Sequence, residues 1–232
     1  GTATLKLAPM DGRPIAAGAH RLVIDYRGRI DRTGNGLYRA DHRADGRPAS
    51  MLATQLQATN ARMLFPGWDE PLFRARFDIE VTAPQGYEVL SNQPQVRRDK
   101  VGADVRHRFA TTPPMPTYLV ALAVGRFDVL EGRAGRVPLR IFTAPGKREL
   151  ARNAMAVTQQ LLPYYERYFG TPYALPKLDQ LAVPSTRWGA MEDWGLISYA
   201  ENNLLVDPQR SGPRTVRGAT ASNQEDEAWF RR

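Results

Sequence analysis

The sequence has 232 residues, of which 42% are hydrophobic, 24% are charged and none is cysteine. This length suits one large or two modest domains, and the lack of cysteine excludes disulfides and thiolate metal ligands. No apolar run approaches the roughly 18 residues that cross a bilayer, and the first residues, GTATLKLAP, contain no basic-then-apolar leader. We therefore expect a soluble globular protein whose compartment the composition leaves open.

The net charge of +8 raises the question of a polyanion partner, because phosphate contacts supply most non-specific affinity for nucleic acid. The arginines are spread along segments such as RLVIDYRGRIDR and VRRDKVGADVRHRF, with acidic residues between them. Such mixed patterns are typical of a solvated surface, so we expect no nucleic-acid partner. A basic module that binds heparin or DNA at low salt remains an alternative.

The first half of the chain alternates apolar and polar residues at period two, which predicts β-strands. The alternating segments are ATLKLAP, HRLVIDYRGRI, FRARFDIEVTAP, YEVLSNQ and ADVRHRFATT. The later run YLVALAVGRFDVLEG is more continuously apolar, as in a strand buried on both faces. Short strands at this spacing predict a β-sandwich.

The period changes after VPLRIFTAPG, and helical spacing predicts a helix from Glu149 to Phe169 that ends at Gly170. Two strand-like segments follow, KLDQLAVPS and GLISYAENNLLVD. The glycine-containing joint EGRAGRVP predicts a domain boundary. It divides the chain into an N-terminal β-sandwich domain at 1–135 and a second domain at 136–232.

The last residues, SNQEDEAWFRR, carry the signal for the start of a helix. Ser222 and Glu225 form a capping box, and acidic residues fill the first turn, where the helix dipole favours negative charge. The pattern stops at a length that is marginal for an isolated helix. A polar tail without regular structure is an equally good interpretation. Because a strand pattern also begins abruptly at Ala3, we expect an excerpt from a longer protein.

Four stretches match one family in their order along the chain. They are TQLQATNARMLFPGWDEPLFRARF (Thr54–Phe77), MPTYLVALAVGRFD, YYERYFGTPYALPKLDQLAVP and GAMEDWGLISY (Gly189–Tyr199). Over most of its length the sequence thereby resembles the zinc aminopeptidases of the aminopeptidase N and leukotriene A4 hydrolase type. The resemblance implies a mainly β fold with some α structure: a saddle-like β-sandwich followed by the first part of a thermolysin-like α+β catalytic domain. It also implies a hydrolase that removes N-terminal residues from peptides.

Such a peptidase must hold a free α-ammonium group, and a carboxylate in a closed site does so through a charge-assisted hydrogen bond. The resemblance makes Glu192 the candidate for this carboxylate. It also places Gly189, Ala190 and Met191 where a substrate backbone pairs with a strand edge. Without the resemblance, an acidic pair at this point reads as a solvated turn between strands.

The resemblance implies two further contacts from the β domain. Gln55 falls where the family makes a substrate-side contact, and Gln57 stands where a second glutamate usually binds the amine. Gln57 is neutral, and Asp193 replaces the usual asparagine, so it is a candidate for restoring the missing charge. In WDEP, we expect Asp69 and Glu70 to fix a turn rather than to act chemically.

The resemblance implies zinc in the full-length protein, but we expect none to be bound by this chain. Zinc peptidases place two histidines at i and i+4 on a helix with a glutamate base, whereas His20, His42 and His107 are far apart. We expect the H-E-x-x-H segment downstream, in the remainder of the catalytic domain, and therefore assign no catalytic residue to this chain and expect it to be inactive alone. A binding or scaffold protein that kept the fold without zinc is the alternative.

Overall fold

The computed structural model describes residues 6–10 and 12–207. Strands account for 38% of the structure and helices for 16%, which confirms the mainly β fold. None of the described helices has the length and apolar character needed to cross a membrane. The predicted helix start at Ser222 lies outside the described residues.

The described strands fall into four sheets. They are β1 (Gly36–Ala44), β2 (Arg47–Gln55), β3 (Arg74–Ala75), β4 (Glu80–Pro84), β5 (Glu88–Ser91), β6 (Gln95–Val101), β7 (Asp104–Phe109), β8 (Met115–Pro116), β9 (Leu122–Gly125), β10 (Asp128–Ala134), β11 (Val137–Thr143), β12 (Leu178–Val183), β13 (Ala190–Met191) and β14 (Leu196–Ala200). The helices are α1 (Arg152–Phe169) and α2 (Glu201–Leu204), and short 3₁₀ turns lie at Ala61–Met63, Thr117–Leu119 and Arg148–Ala151.

The β-sandwich consists of a central sheet, in the order β1-β2-β9-β5, and an outer sheet, in the order β4-β7-β6. Ala83 and Phe109 of the outer sheet pack against Val89 of the central sheet. The next residue, Leu90, belongs to the cluster on the opposite face of the central sheet. This alternation follows from the pleat, which sends successive side chains to opposite faces.

A mixed five-stranded sheet, in the order β10-β11-β12-β14-β13, covers that second face of the central sheet. We call it the motif sheet, because β13 carries part of the GAMED sequence. Its middle strand β12 pairs in parallel with β11 and β14, and every residue of β12 is buried. Two of its buried residues are polar, and they are hydrogen-bonded: Asp179 accepts from Arg140, and Gln180 donates to Thr158.

Helix α1 covers the remaining face of the motif sheet. Its buried residues include Met155 and Leu162, which join a cluster with Leu139 and Ile197 of the sheet. The helix ends at Gly170, whose φ of 64° is left-handed, a conformation that glycine adopts without the steric cost of a β-carbon. The predicted helix is thus confirmed, with its first turn in 3₁₀ form.

Several strand predictions are wrong in whole or in part. Residues 6–9 of ATLKLAP form no strand, and in GLISYAENNLLVD the strand ends at Ala200, where α2 begins. The segment HRLVIDYRGRI forms no strand, and residues 20–30 are exposed, since no described strand pairs with them. The run YLVALAVGRFDVLEG is divided between two sheets, because β9 pairs with β2 and β5 whereas β10 pairs with β11. Alternation shows that a segment suits a sheet but does not supply the partner.

The predicted boundary after residue 135 falls in the turn of the β10–β11 hairpin, where Ala134 pairs with Val137. Both strands of this hairpin belong to the motif sheet. The division of the chain at this position stays a prediction.

Candidate functional site

The GAMED sequence runs along one edge of the motif sheet. Ala190 and Met191 form β13, which pairs in antiparallel with Tyr199 and Ser198 of β14. The backbone N–H of Ala200 donates to the carbonyl of Gly189 at 2.8 Å. Because hydrogen-bonded and non-bonded pairs alternate along an antiparallel ladder, the N–H and C=O of Ala190 point away from β14. This edge of the sheet is unpaired within the described part of the chain.

The end of β2 lies beside this edge. Gln55 is 4% exposed, and it lines the same narrow cleft as Ala190 and Met191, together with Tyr38 and Trp188. Gln55 is held in place locally, because its Oε1 accepts a hydrogen bond from the Gln57 backbone N–H at 3.2 Å. The structure therefore brings together residues that are about 135 positions apart in sequence.

The other predicted residues lie around the cleft rather than in its wall. The Gln57 side chain is exposed and Glu192 is half-buried. Gly189 contributes its carbonyl to the strand ladder and to the Asn203 amide, which donates to it at 3.2 Å. Within the described residues, a β-carbon added at Gly189 would contact Asn203 at 3.5 Å, an ordinary van der Waals distance.

Tyr118 lies beside the site, where it packs against the cluster that contains Met191, and the sequence did not single it out. Burial raises the pKa of its phenol, and the charges of Glu192 and Asp193 raise it further, while Arg74 acts in the opposite direction. These four groups therefore share one electrostatic environment. The signal available in the sequence was the MPTYLV stretch, which supported the resemblance but offered no reason to select its tyrosine.

Asp193 is a poor source of a second negative charge. It is 3% exposed and lies in a largely apolar pocket lined by Leu196, Leu181 and Ala121. Burial raises the pKa of its carboxyl well above the usual range, and the neighbouring Glu192 raises it further. Desolvation disfavours the ionised form, so Asp193 is a weaker candidate than Glu192 for the negative charge that Gln57 lacks.

The acidic residues of WDEP have structural roles. The Asp69 carboxylate accepts hydrogen bonds from the backbone N–H of Arg62 at 3.0 Å and from its guanidinium at 2.7 Å. It also accepts one from the Thr117 hydroxyl at 3.2 Å. The Phe73 N–H donates to the Glu70 carbonyl at 3.0 Å, which closes a turn. These contacts agree with the expected turn.

The described residues do not fit a zinc site. No three His, Cys, Asp or Glu side chains among them converge as metal ligands. His42 lies on β1 of the central sheet and His107 on β7 of the outer sheet, whereas the exposed His20 is hydrogen-bonded to the Ala16 carbonyl at 2.7 Å.

Comparison with known proteins assigns the family. The model of the Peptidase M1 N-terminal domain matches residues 4–119, and that of the Peptidase family M1 domain matches residues 153–221. The chain belongs to the M1 peptidase family. The predicted resemblance is thereby confirmed.

Several M1 relatives are aminopeptidases. Aminopeptidase N of Acetobacter pasteurianus is 44% identical over 87% of this chain and 58% of its own length. Glutamyl aminopeptidase of Mus musculus is 39% identical over 82% of this chain and 20% of its own length. Aminopeptidase M1-C of Oryza sativa is 36% identical over 90% of this chain and 24% of its own length. The M1 chain therefore spans from about a fifth to somewhat over half of these relatives.

Proposed function

We propose that this chain is the N-terminal, substrate-amine-recognising portion of a zinc aminopeptidase that removes N-terminal residues from peptides. The observation that carries the proposal is the open edge of β13, which lies beside the buried Gln55 and is followed directly by Glu192. The names of the relatives support the reaction class.

In this proposal the Glu192 carboxylate binds the α-ammonium group of the peptide. The side chain is half-buried, and no ion pair within the described residues occupies it. A hydrogen bond to a charged group in such surroundings contributes roughly 1.5 to 3 kcal/mol. An N-acetylated peptide has no charge at that position and loses this contribution.

The main chain of Ala190 supplies the second contact. Its outward N–H and C=O are suited to pair with the backbone of an extended peptide, as in β-augmentation. The Gln55 amide adds a neutral polar group to the lining of the same cleft. Gln57 is neutral and burial raises the pKa of Asp193, so Glu192 is the main countercharge for the amine in this proposal.

The zinc ligands belong, in this proposal, to the remainder of the protein's catalytic domain. Zinc would supply the Lewis acid and the activated water of a metallopeptidase. This chain would contribute the subsite that selects peptides with a free N-terminus. By itself it is expected to be inactive.

The test uses the full-length gene product that contains this chain, and compares kcat/KM for matched peptides with free and acetylated N-termini. Glu192→Gln is expected to lower kcat/KM for the free peptide about tenfold to a hundredfold and to spare the acetylated peptide. Glu149→Gln is the matched control, because Glu149 pairs with Arg152 on an exposed helix start.

Zinc content by elemental analysis must accompany these kinetics. A full-length protein without stoichiometric zinc and without activity would favour the scaffold alternative. An unchanged free-to-acetylated ratio in Glu192→Gln, with normal zinc content and folding, would contradict amine recognition by Glu192.

A further inference from the structure

The turn that follows Glu192 is fastened to the central sheet by the buried ammonium group of Lys177. Lys177 is 4% exposed. Its Nζ donates to the carbonyl of Ser91 at 2.9 Å and to the carbonyl of Gly195 at 2.6 Å, and it lies 2.8 Å from Oδ2 of Asp179. An ammonium group has three N–H donors, so each donor has one acceptor.

Asn92 makes a second connection between the same two segments. It is fully buried, and its Nδ2 donates to the Trp194 carbonyl at 2.9 Å and to the Leu119 carbonyl at 2.7 Å. Its Oδ1 accepts from the Ala121 N–H at 2.9 Å. One side chain thus joins the end of β5, the start of β9 and the turn after the GAMED sequence.

Gly195 lets the two backbones approach closely enough for these bonds. Its φ is +78°, and a β-carbon added there would overlap the carbonyl oxygen of Asn92. The overlap would be with backbone atoms, so no flexible side chain can move to relieve it. The Gly195 carbonyl also accepts the Asp179 N–H at 3.1 Å, so this oxygen is fixed from two directions.

The charge of Lys177 is neutralised inside the motif sheet. Asp179 is 1% exposed and also accepts two hydrogen bonds from the Arg140 guanidinium, at 2.8 and 2.7 Å. Buried ion pairs are weak evidence for net stabilisation, since apolar groups of similar shape often serve as well. Their directional hydrogen bonds nevertheless define one relative position of the groups they join.

We propose that Lys177 and Asn92 are positioning residues that set the distance between Glu192 and the central sheet, an inference that rests on the proposed function. The proposed subsite takes Glu192 from the motif sheet and Gln55 from β2 of the central sheet. Ser91 and Asn92 belong to the central-sheet side, whereas Trp194 and Gly195 come two and three residues after Glu192. The two side chains therefore couple both halves of the subsite.

The experiment introduces Lys177→Met into the full-length enzyme and measures kcat and KM for peptides with free and acetylated N-termini. Methionine keeps most of the side-chain length but removes all three N–H donors. We expect about a tenfold loss of kcat/KM for free peptides, because a misplacement of about 1 Å can cost up to about a hundredfold. For acetylated peptides, which have no ammonium group for Glu192 to bind, kcat/KM should change by less than about twofold.

Asn92→Asp provides a second variant of nearly unchanged shape, in case Lys177→Met fails to fold. It removes the amide donors to Trp194 and Leu119 and should lower the same free-to-acetylated ratio. Lys147→Met is the matched control, because Lys147 binds Glu201 at 2.6 Å and does not contact the turn. This control should leave the ratio unchanged.

A Glu192→Gln background separates the two proposals. There, Lys177→Met should not lower the free-to-acetylated ratio further, because the carboxylate that it positions is already absent. If Glu192→Gln lowers the ratio but folded Lys177→Met or Asn92→Asp does not, positioning is refuted and amine recognition stands. If Glu192→Gln itself leaves the ratio unchanged, amine recognition is refuted, and positioning with it.

Discussion

The outer sheet and the motif sheet lie on opposite faces of the central sheet, and their ion pairs differ in exposure to solvent. In the outer sheet, Arg97 pairs with Asp99 at 2.7 Å with arginine and aspartate side chains 63% and 31% exposed. In the motif sheet, Lys177 pairs with Asp179 with side chains only 6% and 1% exposed. Solvent screens the first pair and is excluded from the second.

The difference shows that the buried charged groups of the motif sheet are stabilised in only one arrangement of their hydrogen-bond partners. Outer-sheet pairs can rearrange at little cost because water replaces a lost partner. Lys177 has no such replacement, and its acceptors include the turn beside Glu192. The proposed subsite therefore adjoins buried charged groups whose positions are more restricted than those of the exposed pairs in the outer sheet.

The largest effect is expected from removing the aspartate in each sheet. Asp179→Asn leaves Lys177 and Arg140 without their shared carboxylate, and breaking a buried pair in this way costs about 3 to 5 kcal/mol of unfolding free energy. Asp99→Asn in the outer sheet should cost at most about 1 kcal/mol. Denaturant unfolding of both variants measures the difference, and equal losses would overturn the comparison.

A somewhat smaller contrast is expected between two glycines with left-handed backbone. Gly195→Ala places a methyl group against the Asn92 carbonyl, so backbone strain and overpacking together should cost about 2 to 5 kcal/mol. Gly102, in the β6–β7 turn, has φ +62° and open space around a β-carbon, so Gly102→Ala should cost about 1 to 2 kcal/mol. Similar unfolding midpoints for the two variants would show that the turn can move away from Asn92.

Sequence patterns predicted the parts of this fold that follow from local spacing. The helix ending at Gly170 has its period and its stop signal in one short window, and KLDQLAVPS was predicted to be a strand, which β12 confirms. The order of strands in each sheet depends on distant pairings, such as β12 with β14, and spacing carries no such information. β1, β2 and β6 were not predicted, because sequences such as QVRRDKV in β6 lack a clear apolar–polar alternation.

The candidate site shows the same limit. The resemblance selected Gln55 and Ala190, which the structure brings to one cleft, and the roles assigned to them stay predictions. Tyr118 and Lys177 were missed because their surroundings are assembled from several segments. The burial of Asp193 could not be predicted from the sequence either, because acidic residues are usually exposed and the sheets that cover this one come from distant segments.

The smallest expected effect is a dependence of stability on pH that arises from His107 in the outer sheet. His107 is fully buried, with Nδ1 2.6 Å from Oε1 of Gln95. Burial lowers the pKa of its imidazole below the usual 6.5, Arg98 lowers it further, and Glu88 acts in the opposite direction. At a pH near or below 6.5, the unfolded chain therefore binds more protons than the folded chain, and stability rises with pH through this window.

His107→Gln removes this titration while retaining a polar side chain on β7. The slope of unfolding free energy between about pH 5 and pH 7 should therefore be shallower in the variant than in the original chain. Chemical denaturation across that range measures both slopes, and the difference between them cancels titrations that the two proteins share, including that of Asp193. If the slopes are equal, His107 is protonated as readily in the folded protein as in the unfolded chain. Water would then enter the outer sheet far enough to solvate a charged imidazole. The outer sheet would differ from the motif sheet in the solvation of its interior as well as in the exposure of its surface ion pairs.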